Sequence, residues 1–220
     1  MPQVQLPLEI RLREDATFAN YLGEAPRRLD GADPLVVVHG EEGSGKSHLL
    51  QAVCHDARGR ALHAFYLDWP AQHDPGIAEG LEGFDIVCID DAGELFGRDD
   101  WEVALFHLIN GARDAHRRLV IAVDRPPRDL DVRLPDLRSR LLAALPVETD
   151  TLGDDEKLQL LKDKANRQGF GLPDEVGRFI LSRADRSPRA LVDLLERIEL
   201  ATLAEQRRVT IPLVKSVLAG

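Results

Sequence analysis

Cysteine, tryptophan, tyrosine and methionine are scarce in this chain. Its 220 residues hold two Cys, two Trp, two Tyr and one Met. Two cysteines rule out a disulfide framework, and Cys54 and Cys88 lack any zinc-ligand spacing. Both stand among apolar neighbours and are expected as reduced core thiols. No run reaches the roughly 18 apolar residues of a helical membrane span. The N-terminus also lacks the basic and apolar stretches of a secretory signal, so the expected location is the cytoplasm. Positive charge is not in excess either: the formal net charge is −10. Residues 1–150 carry 16 basic and 27 acidic groups, and residues 151–220 carry 12 and 11. Neither part has the footprint of a phosphate-backbone binder, so strong autonomous DNA binding is not expected. Repeats and low-complexity tracts are missing as well.

What is present centres on Gly40-Glu41-Glu42-Gly43-Ser44-Gly45-Lys46-Ser47, which satisfies G-x-x-x-x-G-K-[ST]. Leu35-Val36-Val37-Val38 before it reads as a buried strand, and Leu49 to Val53 after it as the start of a helix. That order suits phosphate. Glycines let successive N–H groups turn inward, and the helix adds its positive end. Lys46 is expected to reach the β- and γ-phosphates and the Ser47 hydroxyl to ligate Mg²⁺.

Further along, 61–67, 84–91 and 119–124 read as strands, with helical spacing over 45–56 and 101–110. Strands alternating with helices predict an α/β fold, a parallel sheet with ligands at the carboxyl ends of its strands. Gly40, Asp90, Asp91 and Asp124 all fall there. From Leu152 only helices follow. Asp154 or Asp155 is expected to cap a helix to about Gln168, and Pro173 to open one through Ala184. Ser187-Pro188 suits the start of a long helix to about Gln206, and Thr210 begins a short fourth. Three parts result: an extended arm at 1–12, a nucleotide-binding base at 13–150 and a helical domain at 151–220.

Ile86-Val87-Cys88-Ile89-Asp90-Asp91 ends a buried strand in two acids. Asp90 is placed to hold Mg²⁺ and Asp91 to polarise an attacking water, or else to cap a helix. Phe18 and Tyr21 either wall a base or pack on the core. In the arm, Gln5-Leu6-Pro7-Leu8-Glu9-Ile10 alternates apolar groups around a proline. It reads either as an edge strand or as a linear motif that docks in a partner's pocket.

Beyond the loop and acids, several motifs carry a family resemblance. Asp124 stands where AAA+ ATPases place sensor 1. Leu137-Arg138-Ser139-Arg140-Leu141 resembles their Box VII, and Ser187-Pro188-Arg189-Ala190-Leu191 resembles sensor 2. His48-Leu49-Leu50-Gln51, Asp124-Arg125-Pro126-Pro127 and Ser139-Arg140-Leu141 look like the DnaA clade. A basic helix-turn-helix domain after the helical part is not expected. With Gln5-Leu6-x-Leu8 in front, the whole chain resembles the Hda family, DnaA-homologous regulatory inactivators of DnaA.

The resemblance implies an AAA+ base with a helical lid, binding ADP or ATP with Mg²⁺. Gly40, Gly43, Ser44, Gly45, Lys46, Ser47, His48 and Arg189 would hold the nucleotide, and Ser47 and Asp90 the metal. Asp91, Asp124, Arg140 and Arg189 are its catalytic candidates. The implied partners are DnaA and the sliding clamp, the β subunit of DNA polymerase III, with a homodimer also allowed. Gln5, Leu6, Leu8 and Ile10 would dock on the clamp, although Glu9 and Ile10 replace a familiar Pro and Leu. Arg140 would be offered in trans to ATP held by DnaA, while the chain's own turnover stays slow. That is negative regulation of replication initiation. A DnaC-like helicase loader and a P-loop small-molecule kinase are the alternatives.

Overall fold

The computed structural model describes residues 12–219 apart from 30, 32, 69, 206 and 207. Five strands form one wholly parallel sheet: β1 (Leu35–His39), β2 (Ala64–Leu67), β3 (Ile86–Ile89), β4 (Arg118–Val123) and β5 (Leu145–Glu148). Their spatial order is β2-β3-β4-β1-β5. β1 is therefore an interior strand paired on both sides, with Leu35 opposite Leu119 of β4 and Val36 opposite Leu145 of β5. The strands read as continuous apolar runs because both faces of the sheet are covered. Val37, Leu67, Val87, Ile89 and Ile121 face one core. Val36, Val38, Tyr66, Cys88 and Val120 face the other.

Helix α1 (Ala25–Leu29) and helix α2 (Lys46–Gly59) supply the second core. The first is closed by α3 (Ile77–Gly80), α4 (Asp99–Asp114) and α5 (Pro135–Leu142). Each fully buried Leu, Ile or Val in these layers contributes roughly 1.5–3 kcal/mol of transfer free energy. Cys54 and Cys88 are buried and unbridged.

Two compact units divide the chain. One takes in the residues up to Glu41 and Gly45–Asp150, the other Glu42–Ser44 and Thr151–Gly220. The second holds α6 (Asp154–Arg167), α7 (Asp174–Arg183), α8 (Pro188–Glu205) and α9 (Ile211–Ala219) around its own core of Leu161, Ile180, Leu191, Leu195, Ile198 and Val214. The Ser187 hydroxyl accepts the Ala190 N–H at 3.3 Å with Pro188 in the first turn, the cap expected from the sequence.

Three details differ from the sequence reading. Gly153 takes the N-cap of α6, so Asp154 and Asp155 lie in its first turn, where they favour the positive helix end. β2 starts at Ala64, because Ala61 turns through φ +58°. β5 is an additional strand. Its Pro146 hides the signal, yet proline is tolerated because β5 is an edge strand. The sheet thus closes after Arg140, and Arg140 lies in the α5 crossover that leads to its last strand.

Gly23 shows how tightly the base is closed. Its φ is +127°, and a Cβ there would meet the Asp150 carboxylate at 2.3 Å. Asp150 Oδ2 also accepts the Ala25 N–H at 2.9 Å. Gly23→Ala should therefore destabilise the protein by about 2 kcal/mol. Gly59→Ala meets nothing within 4 Å and should stabilise α2 by about 0.5 kcal/mol. Urea unfolding midpoints moving in opposite directions would bear this out; equal midpoints for Gly23→Ala and wild type would refute it.

Candidate functional site

The loop between β1 and α2 is a tight curl made possible by glycine. Gly43 and Gly45 adopt φ +74° and +101°, conformations that side chains resist. Over Gly45 lies Tyr21, whose ring edge is 3.0 Å from where a Cβ would stand. Lys46, only 8% exposed, folds its ammonium back onto the Gly40 and Glu41 carbonyls, 2.8 Å from each. Its charge is thereby held at the centre of the loop. Ser47 stands at the start of α2, where its hydroxyl favours the charged form of the Asp90 carboxyl. Ser44, also in the loop, is a half-buried residue.

Asp90 follows β3 and is 1% exposed. The Tyr66 hydroxyl donates to its Oδ2 at 2.5 Å, and the Asp91 N–H donates to Oδ1 at 3.0 Å. Burial pushes the Asp90 carboxyl above the usual range, against the opposing bonds from Ser47 and Tyr66. Asp91 is exposed and takes φ +47°, a sparsely populated conformation that aspartate tolerates better than most residues. Asp124 sits at the end of β4 and pairs with Arg125 at 3.0 Å, which holds its carboxyl below the usual range. Asp124 Oδ1 also lies 3.3 Å from where a Gly93 Cβ would stand, in the turn after Asp91. One wall of the site thus offers a dry acid, an open acid and an acid paired with arginine.

His48, expected at the nucleotide, packs edge-on against the Tyr21 ring at 5.6 Å, and its Nε2 is 2.9 Å from the Thr17 carbonyl. Phe18 and Tyr21 pack against the core beside α2. Arg140 is half-buried in the last turn of α5, whose Leu137 and Leu141 are buried beneath it, and Arg138 is exposed. Among the described residues, neither arginine forms an ion pair. Arg189 is in the first turn of α8, and its side chain lies outside the described residues, as do Gln5, Leu6, Leu8 and Ile10.

A phosphate group and a divalent cation fit this donor set. The loop offers backbone N–H groups and an ammonium, and Ser47 with Asp90 offers two oxygens. Mg²⁺ commonly takes one or two protein oxygens, the rest coming from phosphate and water.

Residues 75–148 match the bacterial DnaA ATPase domain, and residues 154–218 match the lid domain of Hda. The chain is Hda/DnaA-like, with an α/β AAA+ fold. Among solved structures, domain III of the Thermotoga maritima replication initiation protein DnaA is similar at 22% identity, over 96% of this chain and 98% of that one, with a TM-score of 0.83. DnaA from Aquifex aeolicus with bound AMPPCP is also 22% identical, over 89% and 68%, with a TM-score of 0.73. The Thermotoga maritima RuvB Holliday junction branch migration motor reaches 0.73 at 19%, over 94% and 72%. At these identities the likeness is one of fold.

Two features of this site escape a reading of the sequence. One is Glu102 in the first turn of α4. It is 1% exposed and gathers backbone N–H groups from two loops. Gly97 donates to Oε1 at 2.7 Å, Leu134 to Oε2 at 2.6 Å and Arg133 to both oxygens at 3.0 Å. Glu102 thereby ties the turn after Asp90 and Asp91 to the entry of α5, the arginine helix. The other is a polar stripe on α2. His48, Gln51 and His55, at helical spacing, hold the backbone of Thr17 and Arg13. Apart from Gly97, the partners are backbone groups remote in sequence, which no local pattern marks.

Burial would raise the Glu102 pKa, but the N–H groups of Arg133, Gly97 and Leu134 outweigh it and hold the carboxyl below its ordinary value. A depressed folded-state pKa stabilises fully above the unfolded value, about 4.3, and the benefit is lost as pH falls through the folded value. Glu102→Gln should cost about 3 kcal/mol at pH 7, because an amide nitrogen would face N–H donors. In urea unfolding from pH 7 to pH 3, the gap between variant and wild type should narrow below about pH 4. A gap of constant size would show that the charge is not what anchors the loops.

Proposed function

We propose that this protein binds an adenine nucleotide with Mg²⁺ in its Gly40–Ser47 loop and regulates a DnaA-type ATPase by offering Arg140 in trans. The observation that supports this reading most is the pairing of a DnaA-type ATPase match with an Hda-type lid match in one chain. Nucleotide binding is further supported by the DnaA neighbour that carries AMPPCP and by the cradle around Lys46.

In this reading the loop N–H groups and Lys46 bind phosphate oxygens, and Ser47 and Asp90 hold the cation. Mg²⁺ supplies charge neutralisation between phosphates. Asp124 orients polar groups near the phosphate, and Asp91 orients water if the chain turns over its own ATP. The role of Arg189 rests on its motif alone. Arg140 would act on another molecule. Its guanidinium is always charged and matches phosphate oxygens with a planar fork, so it stabilises charge that develops on the transferring phosphoryl group. Gln5, Leu6, Leu8 and Ile10 would tether the protein to the sliding clamp on DNA, where it meets DnaA. The effect is negative regulation of replication initiation, in the cytoplasm.

Lys46→Ala should lose most of its affinity for Mg²⁺–ADP in a calorimetric titration, and an unchanged isotherm would remove the loop from the reading. Arg140→Ala should fold, bind ADP and bind clamp as wild type does. It should slow hydrolysis of DnaA-bound ATP by at least about a hundredfold, the cautious end for an arginine finger. Arg140→Lys should fail nearly as badly, because it keeps the charge and loses the fork. Both are read in single-turnover hydrolysis of labelled ATP preloaded on DnaA, with excess protein and clamp on DNA. Wild-type rates from Arg140→Ala would end the finger assignment, and no stimulation by the wild type would overturn the regulatory reading.

A further inference from the structure

An unbroken run of hydrogen bonds joins the backbone near the N-terminus to Asp90. The Arg13 N–H donates to Gln51 Oε1 at 2.9 Å, and Gln51 Nε2 donates to the Tyr66 oxygen at 3.4 Å. The Tyr66 hydroxyl in turn donates its O–H to Asp90 Oδ2 at 2.5 Å. Gln51, Tyr66 and Asp90 are all buried.

Donor and acceptor chemistry fixes the direction of this run. A backbone N–H can only donate, so the Gln51 carbonyl oxygen must face Arg13 and its amide nitrogen must face Tyr66. The tyrosine oxygen is then an acceptor on the Gln51 side, and its single proton is committed to Asp90. If the Arg13 N–H left, the Gln51 amide could turn over and present its oxygen to Tyr66. The hydroxyl would then have two acceptors for one proton, and Asp90 would lose the full claim on it.

We propose that Tyr66 is a positioning residue for Asp90 and that Gln51 makes its action depend on the seated N-terminal segment. With the segment in place, Tyr66 pins one carboxylate oxygen and fixes the rotation of Asp90 beside Ser47. With Arg13 displaced, Oδ2 is freed while the Asp91 N–H still holds Oδ1, and the cation site loosens. Residues 5–10 continue directly into this segment, so a partner that draws on them acts on the Arg13 bond. The proposal rests on the reading of Ser47 and Asp90 as the Mg²⁺ ligands of a nucleotide site.

The test is a Mg²⁺ titration of fluorescent mant-ADP binding to the full chain, with binding in EDTA measured alongside. Tyr66→Phe keeps the ring and removes the proton. It should raise the Mg²⁺ concentration at half-saturation about tenfold, the scale of one hydrogen bond to a charged group, and leave binding in EDTA unchanged. Arg13→Pro deletes the backbone donor and should shift the midpoint in the same direction relative to Arg13→Ala, which loses the same Asp15 ion pair but keeps the N–H. Adding Gln51→Met to Arg13→Pro removes the amide that competes for the proton and should bring the midpoint back to that of Gln51→Met alone. A general loss of structure would instead lower binding in EDTA and would not be rescued. A wild-type midpoint in Tyr66→Phe overturns the positioning role. Arg13→Pro without effect, or without rescue, overturns the link to the N-terminal segment. A wild type that binds mant-ADP at no Mg²⁺ concentration overturns the nucleotide-site reading itself, an outcome separate from the other two.

Discussion

β1 is hydrogen-bonded along both edges by strands that come far later in the chain. Leu35 lies opposite Leu119, 84 residues on, and Val36 opposite Leu145, 109 residues on. The strand next in sequence, β2, lies at the far edge of the sheet instead. β1 is thus the point where successive connections leave in different directions, the place where an open parallel sheet leaves a crevice for a ligand. The Gly40–Ser47 loop issues from that point. Its curl, the burial of Lys46 and the meeting of Ser47 with Asp90 all depend on strands that the local sequence does not contain.

Much of this was legible beforehand, and the reasons are specific. β1, β3 and β4 are buried on both faces, so their runs of Val, Ile and Leu stand out as strands. The lid helices show apolar residues at helical spacing with proline, glycine and serine at their ends, and their number and order were readable. β5 was not, because Leu145-Pro146-Val147-Glu148 is short, carries a proline and buries only Val147. α5 was not, because eight residues with two arginines hold too little periodicity. Among the site residues, Lys46 folds back onto the Gly40 and Glu41 carbonyls and Asp90 is buried at the end of β3. Tyr66 and Gln51 were invisible, since their importance lies in a contact across elements 15 residues apart.

Helix α2 serves two purposes with two faces. Leu49, Leu50, Val53 and Cys54 bury into the sheet, and its first turn closes the glycine loop. Its polar stripe grips the backbone of the segment before α1, which in turn places Tyr21 over Gly45. The segment that leads into the base is therefore part of the architecture of the loop, and the identity of residues 48, 51 and 55 bears on the site as directly as that of the glycines.

Glu102 is buried, and its two oxygens are held by peptide N–H groups from Gly97, Arg133 and Leu134 rather than by a cationic side chain. Mobile ions weaken attractions between exposed charges over a Debye length of about 8 Å at physiological ionic strength, and reach buried groups far less. The Asp124–Arg125 and Asp99–Arg133 pairs are more than half exposed and belong to the first kind; Glu102 belongs to the second. Raising the salt concentration therefore relaxes the ion pairs around the site while the seat of the arginine helix stays put.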